Sequence, residues 1–203
     1  MDPKTHWENV YASKSATEVS WFQPEARLSL ELIQKVAPDC NAAVLDVGGG
    51  ASTLVDGLVL AGYHSVTVLD LSAAALEQAK GRLGPEADKV EWREANILTA
   101  DLPEKSVDVW HDRAVFHFLT DEADRRQYVQ QVERAVRPGG SVLVATFAED
   151  GPARCSGLEV ARYSADTLHA EFGDAFQLLH SQPEEHVTPS GATQRFIYCL
   201  CRY

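Results

Sequence analysis

The middle of the chain alternates between two hydrophobic patterns. Short runs that are apolar almost throughout are typical of strands buried on both faces of a sheet, and longer segments with helical spacing separate them. This alternation predicts an α/β fold built on a doubly wound, mostly parallel sheet with right-handed crossovers. The predicted strands are 42–47, 65–70, 89–93, 106–111 and 141–147, and the predicted helices are about 51–62, about 73–83 and about 121–136.

The two ends of the chain follow other patterns. Residues 1–25 are rich in aromatic side chains, and a helix with apolar positions from Leu28 to Val36 is expected to end before Pro38. The tail predicts a loop over 149–163, a helix over 164–172, and strands over 175–181 and 193–201 that form an antiparallel hairpin at the sheet edge.

These segments predict a single domain over 1–203. A length of 203 residues suits one α/β domain. Within it we expect an N-terminal lid and helix over 1–38, a cofactor-binding core over 42–147, and a substrate cap with the C-terminal hairpin over 148–203.

Composition narrows the expected partners. A net charge of −12 disfavours nucleic acid and anionic membrane surfaces, although it suits a basic partner protein. No apolar run approaches the ~20 residues of a membrane span, and the first residues lack the apolar core of a signal peptide, so a cytoplasmic location is expected. The four cysteines lack zinc-like spacing, and no metal site is predicted.

Candidate chemistry lies where two predicted strands end. Asp46 closes the first strand and runs into Gly48-Gly49-Gly50, and Asp70 closes the second. Glycines let a backbone turn tightly and approach a ligand closely. Neighbouring parallel strands bring both carboxylates to the edge where open α/β sheets bind nucleosides, so the pattern indicates a nucleoside cofactor.

A nicotinamide dinucleotide is the alternative on these grounds. Its G-x-G-x-x-G fingerprint would place the third glycine at position 53, which is Thr53. The carboxylate of Asp46 would also repel a pyrophosphate, whereas it suits a ligand that presents a cation.

With these residues the chain resembles the class I S-adenosylmethionine-dependent methyltransferases, which have a Rossmann-like fold. The match rests on the D-x-G-x-G of Asp46 to Gly50, on Asp70, and on the Arg-Pro-Gly-Gly of 137–140, and it covers about 42–147. The resemblance implies S-adenosyl-L-methionine as cofactor and S-adenosyl-L-homocysteine as product.

The resemblance also implies residue roles. Asp46 would help to hold the cofactor's ammonium, Gly48 and Gly50 would pass under its amino-acid part, and Asp70 would bind the ribose hydroxyls. The pair after strand three would contact the adenine; it is Asn96-Ile97 here, where the family more often has Asp. The remaining residues expected at the cofactor are Trp21, Leu71 and Asp112.

Two further segments resemble the thiopurine and related thiol methyltransferases. They are the aromatic N-terminus, with Trp7 and Tyr11 followed by Trp21-Phe22-Gln23-Pro24, and the stretch Trp110-His111-Asp112-Arg113-Ala114. This implies transfer to a small molecule, preferably to a thiol or another soft nucleophile. Some protein lysine methyltransferases share looser versions of both segments, so a protein lysine or N-terminal methyltransferase is the alternative. A non-catalytic cofactor-binding module is the second alternative function.

Several side chains are candidates for chemistry at the acceptor. The guanidinium of Arg113 would stabilise a thiolate, unless it is bound in an ion pair with Asp112 or another acid. His117 would act as a base for a less acidic acceptor, unless it is only packed. Trp21 would close over the sulfonium by cation–π attraction. Substrate contacts are expected from Phe22, Cys155 and His186.

Overall fold

A computed structural model describes residues 2–203, which contain six α-helices and nine strands. The helices are α1 (Pro3–Ser13), α2 (Arg27–Val36), α3 (Leu54–Leu60), α4 (Ala73–Leu83), α5 (Glu122–Ala135) and α6 (Ala165–Phe172). The strands are β1 (Ala43–Val47), β2 (Ser65–Asp70), β3 (Val90–Glu94), β4 (Val107–Arg113), β5 (Val136–Phe147), β6 (Arg154–Cys155), β7 (Leu158–Glu159), β8 (Gln177–Val187) and β9 (Thr193–Arg202).

Seven strands form one sheet in the order β3-β2-β1-β4-β5-β9-β8. The first five run parallel, while β9 and β8 are antiparallel additions at one edge. The predicted fold class is therefore confirmed, including the C-terminal hairpin. Because β1 lies between β2 and β4, the ends of these three strands meet at one edge: Val47 pairs with Leu69 on one side and with Asp112 on the other.

Apolar side chains cover both faces of the sheet, as expected for parallel strands that crossover helices bury. On one face Ile33 of α2 and Leu58 of α3 pack with Leu143. On the other, Tyr128 of α5 packs with Val144. Neighbouring residues of β5 thus face opposite cores, which follows from the two-residue period of a strand.

Several predicted boundaries are wrong. The first crossover helix begins at Leu54 rather than near 51, because the glycine turn continues to Thr53. Strand β4 extends to Arg113, two residues beyond the predicted end, and β5 begins at Val136, before the predicted turn. The predicted strand over 175–181 continues to Val187, through a proline that is tolerated because β8 is the outer strand of the sheet.

Two elements were not predicted. Helix α1 occupies the aromatic N-terminus, where the side chain of Asp2 caps it by accepting a hydrogen bond from the backbone N–H of Thr5 at 3.0 Å. The segment 149–163, predicted to be a loop, contains the two-residue strands β6 and β7. Both elements pack beside the edge where β1, β2 and β4 end, and they carry residues that line its cavity.

Within residues 2–203 no helix is both long and apolar enough to cross a bilayer. The same residues hold no cluster of three or more His, Cys, Asp or Glu side chains placed to bind a metal ion.

Candidate active site

A cavity of about 240 Å³ lies at the carboxyl ends of the parallel strands. The glycine turn and the ends of β2 and β4 form its floor, α1 covers it, and the β6–β7 hairpin closes one side. Most of its wall is apolar, which is the usual character of a small-molecule site. Of the residues predicted at the site, seven lie on this wall besides Arg113: Trp21, Gly48, Asp70, Leu71, Asn96, Ile97 and Cys155.

The glycine turn brings backbone and carboxylates together more closely than other residues would allow. Gly48 has a φ of +63°, and a Cβ there would lie 2.0 Å from a methyl carbon of Val115. A Cβ on Gly49 would lie 2.5 Å from Oδ2 of Asp46, and one on Gly50 would lie 2.7 Å from Oδ2 of Asp70. All three positions are therefore restricted to glycine by packing.

Asp46 is almost completely buried behind this turn, with 2% of its surface exposed. Its Oδ1 accepts a hydrogen bond from Nδ1 of His111 at 2.7 Å. Its Oδ2 has no partner among the described residues. An unpaired buried carboxylate oxygen is costly, so this atom fits a cationic ligand group beside Gly49.

Asp70 lies on the cavity wall at the end of β2. Its Oδ1 accepts a hydrogen bond from the backbone N–H of Ser72 at 2.8 Å. Burial raises the pKa of Asp70 to about 7, and the nearby carboxylate of Asp46 acts in the same direction. Farther along the wall, the side-chain oxygen of Asn96 already accepts the backbone N–H of Leu98 at 2.9 Å, which leaves its amide hydrogens for a ligand.

Aromatic rings form the roof. Trp7 of α1 meets Trp21 and Phe118 edge to face, at centroid distances of 5.7 and 5.1 Å. Trp21 is held further because its Nε1 donates to the hydroxyl of Tyr11 at 3.2 Å. Phe22, predicted to contact substrate, does not line this cavity; it faces a smaller one of about 40 Å³ between the glycine turn and the segment before α2.

Arg113, the last residue of β4, reaches the cavity but is heavily engaged. It donates from Nε to the hydroxyl of Tyr198 at 2.9 Å, from Nη1 to the carbonyl of Trp21 at 3.2 Å, and from Nη2 to Glu184 at 3.2 Å. The acid that pairs with it is Glu184 of β8, not Asp112. Since this carboxylate offsets the positive charge, the contacts favour a positioning role over stabilisation of a thiolate.

We call residues 20–23 the lid segment. Besides the bond from Arg113 and the one from Trp21 to Tyr11, three further contacts hold it. His186 donates from Nε2 to the carbonyl of Ser20 at 2.7 Å, Gln23 donates to Glu184 at 3.0 Å, and the hydroxyl of Thr53 donates to the carbonyl of Gln23 at 3.1 Å. His186, predicted to contact substrate, does not line the cavity and instead holds this segment.

Asp112, predicted to bind cofactor, is fully buried outside the cavity wall. Its carboxylate accepts hydrogen bonds from the backbone N–H groups of Val115 and Phe116 and, at 2.6 Å, from the hydroxyl of Tyr128. It therefore braces the turn after β4. This arrangement does not agree with the prediction that Asp112 binds the cofactor. Asp112 lies within β4, which continues to Arg113, and its side chain faces the core.

His117, predicted as a possible base, is also fully buried and off the cavity wall. Its Nδ1 accepts the backbone N–H of Phe147 at 3.3 Å, and its ring packs between Phe118 and Phe147. Burial, aided by the charge of Arg113, lowers the pKa of His117 to about 3. A neutral imidazole whose acceptor nitrogen is occupied does not serve as a base at neutral pH. Cys155 does face the cavity, and burial raises its thiol pKa to about 11.

The sequence reasoning missed the polar residues behind the site. Ser29, His111, Glu184 and Tyr198 join Asp46 and Arg113 in one set of hydrogen bonds. The sequence alone assigns no role to His111. The available signal is a histidine directly after the buried apolar pair Val109-Trp110, since a buried polar side chain requires a partner.

Comparisons with known proteins indicate a methyltransferase. Residues 44–140 match the family described as "Methyltransferase domain". The chain is 25% identical over 184 residues to the ubiquinone/menaquinone biosynthesis C-methyltransferase UbiE of Hahella chejuensis, covering 84% of this chain and 72% of that protein. It is 22% identical over 215 residues to the EEF1A lysine methyltransferase 2 of Homo sapiens, covering 98% and 85%. The crystal structure of an SAM-dependent methyltransferase from Anabaena variabilis superimposes with a TM-score of 0.79 at 15% identity, over 100% of this chain and 96% of that one.

Proposed function

Since this chain is a class I S-adenosylmethionine-dependent methyltransferase, we propose that it methylates a small, largely apolar molecule at a soft atom, preferably the sulfur of a thiol. Bound S-adenosylmethionine supplies an electrophilic methyl group on a sulfonium. The protein must then bind the acceptor, align it and exclude water.

The cofactor fits the residues on one half of the cavity. We assign the unpaired Oδ2 of Asp46 to the ammonium and the glycine turn to the amino-acid part. Asp70, with Leu71 beside it, is assigned to the ribose hydroxyls, and Asn96 with Ile97 to the adenine. This arrangement is supported by the buried, unpartnered oxygen of Asp46 and by the lack of room for any Cβ at the turn.

The observation that carries the acceptor proposal is that no histidine lies on the cavity wall among residues 2–203. We assign the acceptor to the part of the wall with Phe118, Cys155, Leu158 and Arg113, whose guanidinium is paired with Glu184. Besides Asp70, the wall carries the carboxylate of Asp124. Both nearby histidines, His117 and His186, are turned away. A thiol, with a pKa near 8.5, forms enough thiolate at neutral pH to react without a base, whereas an alcohol does not and an amine begins as a cation.

Protein lysine methylation is the second candidate. The human relative that covers 98% of this chain methylates lysine in EEF1A by name, and a net charge of −12 suits a basic partner. The carboxylate of Asp124 on the cavity wall is the group that a lysine ammonium would contact. Against this candidate, α1 and the lid segment cover the cavity.

Matched acceptors test the proposal. Benzyl mercaptan, benzyl alcohol and benzylamine have nearly the same shape and differ in the attacking atom, so we would follow methylation of each by mass spectrometry, beside a lysine peptide and EEF1A protein. We expect benzyl mercaptan to be methylated at least about 100-fold faster than the alcohol or the amine. Methylation of EEF1A without any thiol turnover would replace this proposal by the second candidate. Binding of S-adenosylhomocysteine with no turnover on any acceptor would indicate a non-catalytic module.

A further inference from the structure

A continuous set of buried polar side chains leads away from the back of the cofactor site. Nδ1 of His111 contacts Oδ1 of Asp46 at 2.7 Å, and Nε2 of His111 contacts Oγ of Ser29 at 2.9 Å. Oγ of Ser29 lies 3.5 Å from the hydroxyl of Tyr198. We call these four residues the buried network. None is more than 2% exposed, so water does not satisfy their polar groups.

The network fixes the roles of the imidazole nitrogens. A carboxylate only accepts, so Nδ1 of His111 must carry a proton and donate it to Asp46. Nε2 of His111 forms its hydrogen bond with the hydroxyl of Ser29, which can either donate or accept. Because both nitrogens are held, the ring cannot rotate, and it fixes the carboxylate that it contacts.

The orientation of Asp46 decides which oxygen faces the glycine turn. With Oδ1 bound to His111, Oδ2 lies against Gly49, where a Cβ would approach it to 2.5 Å. Gly49 also lines the small cavity of about 40 Å³ that shares Tyr11, Trp21, Gly48 and Arg113 with the main one. The unpartnered oxygen of Asp46 therefore lies directly behind a residue of the glycine turn that lines a cavity, although Asp46 itself lines neither cavity.

We propose that His111, supported by Ser29, is a positioning residue that holds the Asp46 carboxylate so that Oδ2 receives the cofactor's ammonium group. The proposal rests on the assignment of Asp46 made above. His111 itself does not line the cavity and acts only through Asp46. The loss of this contact should therefore weaken recognition of the amino group and of nothing else on the cofactor.

Two substitutions at one position separate this role from simple packing. The amide nitrogen of Asn lies about where Nδ1 of histidine does, so His111→Asn retains a donor to Asp46. The amide of Gln reaches the place of Nε2, so His111→Gln retains the contact with Ser29 and loses the one with Asp46. Ser29→Ala removes only the outer contact, and Thr146→Val is the control, because that buried hydroxyl has no partner among the described residues.

The probe is a pair of ligands measured by titration calorimetry: S-adenosylhomocysteine and its analogue that lacks the α-amino group. We expect His111→Gln to weaken S-adenosylhomocysteine binding about tenfold or more and Ser29→Ala about two- to threefold. His111→Asn should weaken it by about threefold or less, and Thr146→Val not at all. Affinity for the deaminated analogue should change less than twofold in every variant.

Other results would overturn the inference. Equal loss of affinity for both ligands in His111→Gln would show a general structural role. Unchanged affinity for S-adenosylhomocysteine would show that Asp46 needs no help. If the wild-type protein bound both ligands equally, Asp46 would not recognise the ammonium at all, and this would leave the thiol acceptor proposal intact. Should His111→Gln fail to fold, Ser29→Ala decides: a loss confined to S-adenosylhomocysteine supports the proposal, and no such loss overturns it.

Discussion

The carboxylate of Glu8 in α1 accepts hydrogen bonds from the backbone N–H groups of Ala73 and Ala74, at 2.6 and 3.3 Å. The helix that covers the cavity is thus attached to the first turn of α4, the helix that follows Asp70. A carboxylate at a helix N-terminus is stabilised both by hydrogen bonds and by the helix dipole. Helix α1 and the first turn of α4, close to Asp70, are therefore joined by the side chain of Glu8.

The substitution Glu8→Ala should loosen α1 and the residues that follow it without disturbing the sheet. We expect faster amide hydrogen exchange over 3–22, unchanged exchange in β1 and β4, and binding of S-adenosylhomocysteine weakened severalfold. The reason is that α1 then loses its bonds to the first turn of α4 and keeps only those that Gln78 of α4 donates to the carbonyls of Tyr11 and Lys14. Exchange followed by mass spectrometry measures this. Glu25→Ala is the control, since Glu25 is exposed and pairs only with Arg27. Unaltered exchange over 3–22 would show that the aromatic contacts and Gln78 hold α1 without Glu8.

Asp70 makes stability depend on pH. Its pKa rises from 3.8 in the unfolded chain to about 7 in the folded one, so the folded protein keeps a proton that the unfolded chain releases. The corresponding stability is complete below about pH 4 and is lost as the pH rises through about 7. Asp70→Asn should therefore flatten the fall in Tm between pH 4 and 7 and raise Tm at pH 8 by about 2 °C or more. A variant with the wild-type pH slope would contradict this.

The same residue should make ligand binding depend on pH in the opposite direction. An ionised carboxylate accepts hydrogen bonds from hydroxyl groups better than a carboxylic acid does. Binding of S-adenosylhomocysteine should therefore tighten as the pH rises through about 7 in the wild-type protein. In Asp70→Asn the affinity should be lower and flat with pH. Calorimetric titrations from pH 5 to 9 measure both, and a pH-dependent Asp70→Asn variant would assign the titration to another group.

Tyr128→Phe tests whether Asp112 is structural. The hydroxyl of Tyr128 donates to Asp112 at 2.6 Å and accepts from Nε1 of Trp110 at 2.8 Å. Its removal should lower the free energy of unfolding by about 1–3 kcal/mol, because two buried groups lose their partner. The affinity for S-adenosylhomocysteine should stay within twofold of the wild-type value. Tyr63→Phe is the control, because it removes another buried hydrogen bond, from the Tyr63 hydroxyl to the carbonyl of Ala37. A selective loss of affinity in Tyr128→Phe would restore Asp112 as a cofactor residue.

Arg113→Lys separates charge from geometry. Lysine keeps the positive charge, but it lacks the fork that reaches Tyr198, Glu184 and the Trp21 carbonyl together. If Arg113 positions the lid segment, turnover with a thiol should fall about 10- to 100-fold, because the acceptor is then poorly aligned. Steady-state kinetics measure this, with Arg195→Lys as the control on the exposed face of β9. Full turnover in Arg113→Lys would instead assign the residue an electrostatic role.

Sequence patterns predicted which residues lie at the ends of β1 and β2, because those positions depend on local structure. Asp70 ends β2 after an almost wholly apolar run, and the glycine turn is continuous in sequence. The acceptor side depends on distant segments. His117 looked available as a base until Phe147 of β5 supplied the backbone N–H that occupies its nitrogen, 30 positions later in the chain. Helix α1 was missed because its exposed and buried positions form no clear apolar stripe.

The sequence by itself determined the parallel sheet and the order of its strands along the chain. It also placed Asp46 and Asp70 at one edge of the sheet, since the strand period and the handedness of the crossovers leave few possible topologies. Only the tertiary structure decided what those residues contact. Glu184 reaches Arg113 from 71 positions away, and Ser29 reaches His111 from 82. Such pairs carry no local signal, because each exists only where packing excludes water and leaves a buried polar group with one available partner.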